Sequence, residues 1–170
     1  MRGHAGRQSG FTLIELVVVT ALITLMLFMA VPRFQVLVSG DDARRTARWL
    51  LMEVPLLKSR AVQEQRDYLL HFDFDRQLAW VTHEGMQEEQ ARAAAENGYR
   101  PPESVRWADL TFAGGPTVSS AQAVLRFYRQ GYSDRVFIHL RDDNDRRFSV
   151  KVEPFLPRPE FYDHFVDFHE

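Results

Sequence analysis

Apolar positions along this chain follow three successive rhythms. Residues 11–31, FTLIELVVVTALITLMLFMAV, hold one charge, Glu15, and present no polar face. At about 1.5 Å per residue such a helix rises roughly 30 Å, the thickness of a bilayer core. Val17, Val18 and Val19 are mediocre helix formers in water. Lipid overrides that preference, because every backbone group there must be paired within the segment. The pattern predicts one membrane-spanning helix.

The second rhythm has steps of three and four. Ala43, Ala47, Leu50, Leu51, Val54, Leu57 and Ala61 recur on one helical face, with Arg44, Arg45, Arg48 and Lys58 expected outside. Ser39-Gly40-Asp41-Asp42 reads as a loosened turn and a fresh helix start capped by Asp41 or Asp42. The helix is expected to reach about Gln65, with a bend at Pro55. Beyond it the period drops to two. Segments 68–74 and 78–82 predict a hairpin across Asp75-Arg76, and 105–112, 123–128, 135–140 and 148–152 are further strands. A polar insertion separates the second and third strands, helix-prone over 86–97, with Gly98 as a stop and Pro101-Pro102 behind it. The fold class expected is α+β: a long N-terminal helix, first transmembrane and then amphipathic, packed on antiparallel sheet.

Composition narrows the function. The 170 residues carry a formal charge of −2, and mean hydropathy is −0.30 despite the dense apolar block. Without Arg2 and Arg7, the bases of the first ten residues, 19 bases face 23 acids, a charge of −4. That body lacks the basic footprint of a nucleic-acid binder, so no nucleic-acid partner is expected. The absence of cysteine removes disulfides, thiol catalysis and Cys-type zinc sites. No G-x-S-x-G, P-loop or dinucleotide fingerprint is present, so neither enzymatic chemistry nor a cofactor is expected. Asp142-Asp143-Asn144-Asp145 lacks the spaced ligands and distal Glu of a calcium loop and reads as a hairpin turn. His71, His83, His139, His164 and His169 are scattered without ligand spacing, so no metal is expected. The tail, EPFLPRPEFYDHFVDFHE, sets aromatic anchors among prolines and acids. It either folds back over its own sheet or docks on a neighbouring subunit.

The flanks orient the span. Arg2 and Arg7 precede it and only Arg33 follows closely, a bias toward a cytoplasmic N-terminus. The segment after the run, Met29-Ala30-Val31-Pro32-Arg33, offers no conventional signal-peptide cut, whereas the small residues Ser9-Gly10 lie before it. Glu15 is the anomaly, since a carboxylate inside a span costs about 2.5–3.5 kcal/mol unless it is answered. Either it sits near the interface and is tolerated, or it pairs with a cation. Cleavage before Phe11 would create an α-amine four residues away, on the same helical face, and a subunit shifted along the axis would bring its amine to this carboxylate.

Gly10-Phe11-Thr12-Leu13-Ile14-Glu15 followed by an apolar run resembles the type IV prepilin motif. The resemblance implies cleavage after Gly10 by a dedicated prepilin peptidase in the membrane, N-methylation of Phe11, a filament-assembly role for Glu15 and a helix kink at Pro32. It divides the chain into a leader (1–10), a transmembrane and filament-core helix (11–32), an amphipathic helix (33–66) and a periplasmic β-rich domain with an extended tail (67–170). The helix end Leu56-Leu57-Lys58-Ser59-Arg60-Ala61-Val62 running into Tyr68-Leu69-Leu70-His71-Phe72 is similar to the H-type minor pseudopilins and the related FimT pilins. So is Leu125-Arg126-Phe127-Tyr128-Arg129-Gln130-Gly131-Tyr132-Ser133, a strand, glycine turn and next strand; Ser59 replaces a usual alanine, and a closing C-terminal glycine is missing. By this resemblance the chain is a non-catalytic pseudopilus subunit of the type II secretion system. It is held in the bacterial inner membrane by one pass and then extracted into the periplasm. Its partners are other major and minor pseudopilins, the prepilin peptidase, the inner-membrane assembly platform and the membrane itself. A minor pilin of a true type IV pilus, serving motility or DNA uptake, and an uncut single-span binding domain stay open as alternatives.

Overall fold

The computed structural model describes residues 13–168, with side chains for all of these but 27–41. Two compact units divide between Leu37 and Val38. Helix α1 (Leu13–Glu64) contributes to both. It runs through Ser39-Gly40-Asp41-Asp42 without the expected restart, so neither Asp41 nor Asp42 serves as an N-cap. A glycine inside a helix costs only about 1 kcal/mol, and cooperative helix on both sides outweighs it. Pro55 likewise lies within the uninterrupted element.

In the second unit, α1 buries Ala43, Ala47, Leu50, Val54, Leu57 and Ala61, the stripe predicted from spacing apart from Leu51, which is half-buried. They share one buried cluster with strand residues including Leu70, Phe72, Trp107, Leu110, Leu125, Ile138 and Val150. Each fully buried Leu or Phe contributes about 1.5–3 kcal/mol relative to exposure. Strands β1 (Tyr68–Asp73), β2 (Leu78–His83) and β5 (Gln122–Phe127) form one antiparallel sheet in the order β2-β1-β5. Strands β3 (Val105–Phe112), β4 (Thr117–Val118), β6 (Val136–Asp142), β7 (Arg147–Val152) and β8 (Glu160–Tyr162) form a second, ordered β4-β3-β6-β7-β8 and also antiparallel throughout. Helix α2 (Glu88–Glu96) lies in the polar insertion. The insertion is fastened to α1 where Tyr99 stacks on Trp49, ring centroids 4.2 Å apart. The α+β class and the six longer strands are as predicted; the two-residue β4 and three-residue β8 are additions.

Lys58 departs from expectation. It is 8% exposed and points inward, where its ammonium donates to the carbonyls of Glu153 (2.6 Å), Pro154 (3.1 Å) and Leu156 (2.7 Å). Burial lowers its pKa, and the nearby Glu153 charge offsets part of that. The lysine thus anchors the start of the C-terminal tail to the helix.

The tail folds back. Strand β8 pairs with β7 through Ser149↔Tyr162, Val150↔Phe161 and Lys151↔Glu160. Past it, the Ser149 hydroxyl donates to the His164 carbonyl and accepts from the Val166 amide. His139 is fully buried beneath it, one ring nitrogen on Asp109 Oδ1 and the other 2.9 Å from the Val166 carbonyl. Both partners are acceptors, so the geometry calls for a ring protonated at both nitrogens. Burial opposes that charge, but the Asp109 and Val166 bonds and the Asp109 and Asp167 carboxylates outweigh it, and the pKa lies above the ordinary histidine value. At the predicted hairpin turn, Asp142 Oδ1 accepts from the Asn144 and Arg146 amides, leaving that carboxylate committed to the turn. Among the described residues no cluster of potential metal ligands occurs.

Candidate assembly site

The described start of α1 is apolar and exposed all round. Leu13, Ile14, Leu16, Val17, Val18, Val19, Leu22, Ile23, Leu25 and Met26 are each 46–83% exposed. Soluble monomers rarely show contiguous apolar patches beyond a few hundred Å², so this segment needs lipid or other helices around it. The hydroxyls present are quenched internally. Thr20 donates to the carbonyls of Leu16 (2.9 Å) and Val17 (3.0 Å), and Thr24 to that of Thr20 (2.8 Å). Sequence reading passed over these threonines, although a hydroxyl four residues after a helical carbonyl is the available signal. The effect is a surface that offers an apolar environment almost no unsatisfied polar group.

Glu15 stands exposed in the first described turn of α1. A carboxylate there gains about 0.3–1 kcal/mol from the helix dipole, less than the cost of taking it into lipid unanswered. Gly10 and Phe11, the expected cleavage junction and methylation position, lie outside the described residues. Pro32 lies within α1, but its side chain is outside them too. Among the described residues no helix is long and apolar enough to cross a membrane. The apolar run of the sequence, 11–31, extends past both ends of the stretch whose side chains are described, 13–26. That stretch rises only about 20 Å.

Residues 6–31 match the family described as the prokaryotic N-terminal methylation motif. This chain carries the N-methylation motif of type IV pilin-like proteins. The folded second unit has a solved counterpart. A crystal structure of the minor pseudopilin EpsH from the type II secretion system of Vibrio cholerae aligns with a TM-score of 0.54 at 12% identity, covering 75% of this chain and 98% of that one. A second structure of the same Vibrio cholerae protein aligns with a TM-score of 0.49 at 13% identity, over 65% of this chain and 89% of that one. No curated protein sequence matches the chain. The helix packed on antiparallel sheets thus shares the fold of that EpsH crystal structure.

Proposed function

We propose that this chain is a minor pseudopilin, a structural, non-catalytic subunit of the periplasmic pseudopilus of a type II secretion system, helping folded proteins leave across the outer membrane. One observation carries the reading. An exposed apolar stretch at the described start of α1, residues 13–26, carries one carboxylate, Glu15, and lies within the segment that matches the N-methylation motif. The prepilin peptidase removes residues 1–10 and methylates Phe11. The helix then waits in the inner membrane, with the domain in the periplasm, until the assembly platform lifts it into a filament of other pseudopilins.

In that filament the α-amine of Phe11 on an adjoining subunit answers the Glu15 carboxylate. Two opposite charges about 4 Å apart attract by roughly 4 kcal/mol at an effective dielectric of 20, enough to offset the insertion cost of the acid. Glu15→Leu removes that attraction and leaves the folded domain untouched. The expected result is a stable, membrane-held protein that is not recovered in sheared filaments and does not support secretion. Incorporation at the native level would refute the pairing. Deleting the gene tests which machine is served: loss of exoprotein secretion supports the reading, and loss of twitching or transformation alone assigns the chain to a type IV pilus instead.

A further inference from the structure

The outer face of the five-stranded sheet carries a feature that filament assembly does not use. Strand register sets Arg106 on β3 opposite Arg141 on β6, and Arg141 opposite Arg147 on β7. All three side chains are exposed, because their neighbours Trp107, Leu140 and Phe148 point into the core. Three like charges in one cross-strand row repel one another, in a body that is otherwise net acidic.

Little on the chain answers them. Among the described residues Arg106 has no ion pair; Arg141 meets the exposed Asp145 at 3.5 Å; Arg147 lies over the Phe165 ring at 5.5 Å. Among the described residues, the one carboxylate lining the row's own cavity, Asp109, is bonded to His139. The cavity measures about 400 Å³, and Phe74, Gln77, Trp107, Ala108 and Ser119 line it besides the arginines and Asp109.

We infer that this cavity is a binding site for an extended acidic peptide segment of a partner protein. The dimensions favour a peptide over a small oxyanion. Water takes about 30 Å³ of liquid volume per molecule, so an anion of a few heavy atoms leaves most of the space empty. Neighbouring strands lie about 4.8 Å apart, so the roots of the arginine row span about 10 Å. Alternate side chains of an extended peptide project from one face about 7 Å apart. Two such carboxylates fall within reach of three long guanidinium arms, which bind carboxylates in two-bonded pairs. Asp109 and Phe74 then face the peptide's own amides and carbon stems, a mixed wall that a polyphosphate backbone would not match. The inference concerns the folded domain and stands whether or not the filament reading does.

The test uses the full chain in detergent micelles and a short fluorescein-labelled peptide of alternating Glu and Ser, followed by fluorescence polarisation at low and high salt. Saturable binding that falls by about tenfold in Arg106→Gln/Arg147→Gln is expected, since rim charges act chiefly through salt-sensitive attraction. Arg44→Gln/Arg48→Gln, which removes two exposed bases from α1, should bind as the native chain does. Arg106→Lys/Arg147→Lys, which keeps the charge but loses the planar fork, should fall between. Circular dichroism confirms that each variant is folded. Equal binding by the Gln pair, loss of binding in the α1 pair, or equal binding of a Gln-Ser peptide overturns the inference. So does displacement of the peptide by inorganic phosphate or a DNA oligonucleotide at lower concentration than by unlabelled peptide.

Discussion

Lys58→Met isolates what holds the C-terminal tail to the helix. Methionine keeps most of the apolar stem and removes only the ammonium that donates to the carbonyls of Glu153, Pro154 and Leu156. Hydrogen bonds to a charged group are worth about 1.5–3 kcal/mol each, but three on one donor do not add. Two effects reduce the total. Residue Leu156 is 48% exposed, so water can take up part of the freed bonding there, and the variant no longer buries a charge. The net loss should be about 2 kcal/mol. For a folded unit of this size a loss of 1 kcal/mol lowers Tm by about 3–5 °C, which predicts a drop of about 6–10 °C. All three tryptophans, Trp49, Trp80 and Trp107, lie in the second compact unit, so their fluorescence follows its unfolding alone. Hydrogen exchange should rise across residues 153–168 before the sheet is affected. A Tm within about 2 °C of native with unchanged exchange in the tail would refute the anchoring role. A higher Tm would show that the cost of burying the ammonium exceeds its bonds.

Three further outcomes follow from the same geometry. The folded-state pKa of His139 is raised, so its stabilising contribution is complete below the ordinary imidazole value of about 6.5 and is lost as pH climbs through the folded value. The Tm difference between the native chain and His139→Gln should therefore shrink from pH 5.5 to pH 8, and a constant difference would contradict the assignment. Gly98→Ala should cost about 1–3 kcal/mol, read as a lower urea midpoint, because its Cβ would lie 2.7 Å from the Ala79 carbonyl and 2.8 Å from Leu78 Cδ1. Leu57→Ala should cost about 2–5 kcal/mol in the same assay, since Leu57 is fully buried in the cluster joining helix and sheets.

Much of the domain was legible because two periodicities separate cleanly. The stripe from Ala43 to Ala61 and the alternating strands follow steps of 3.6 and 2, and the burial pattern reproduces both. Lys58 was misread by residue type rather than by position: it lies four residues after Val54 and three before Ala61, on the apolar face, and Thr46 is buried by the same spacing. Strands β4 and β8 are too short to carry a period, and both sit at sheet edges. The continuous burial of residues 136–140 signals a strand covered on both faces. What covers the outer face is the tail, for which composition favoured folding back but left docking outward open. The arginine row was invisible in sequence, because register, not spacing, brings residues 106, 141 and 147 together. At the N-terminus Gly10, Phe11 and Glu15 stand out as a motif, and the methylation-family match covers that stretch.

Under the proposed function, filament entry requires cleavage between residues 10 and 11. Intact-mass spectrometry of the chain extracted from membranes of its native cell reads that directly. The account predicts a single species that begins at Phe11 and is heavier than that sequence by one methyl group. A chain that keeps residues 1–10 in cells with an active prepilin peptidase would contradict it.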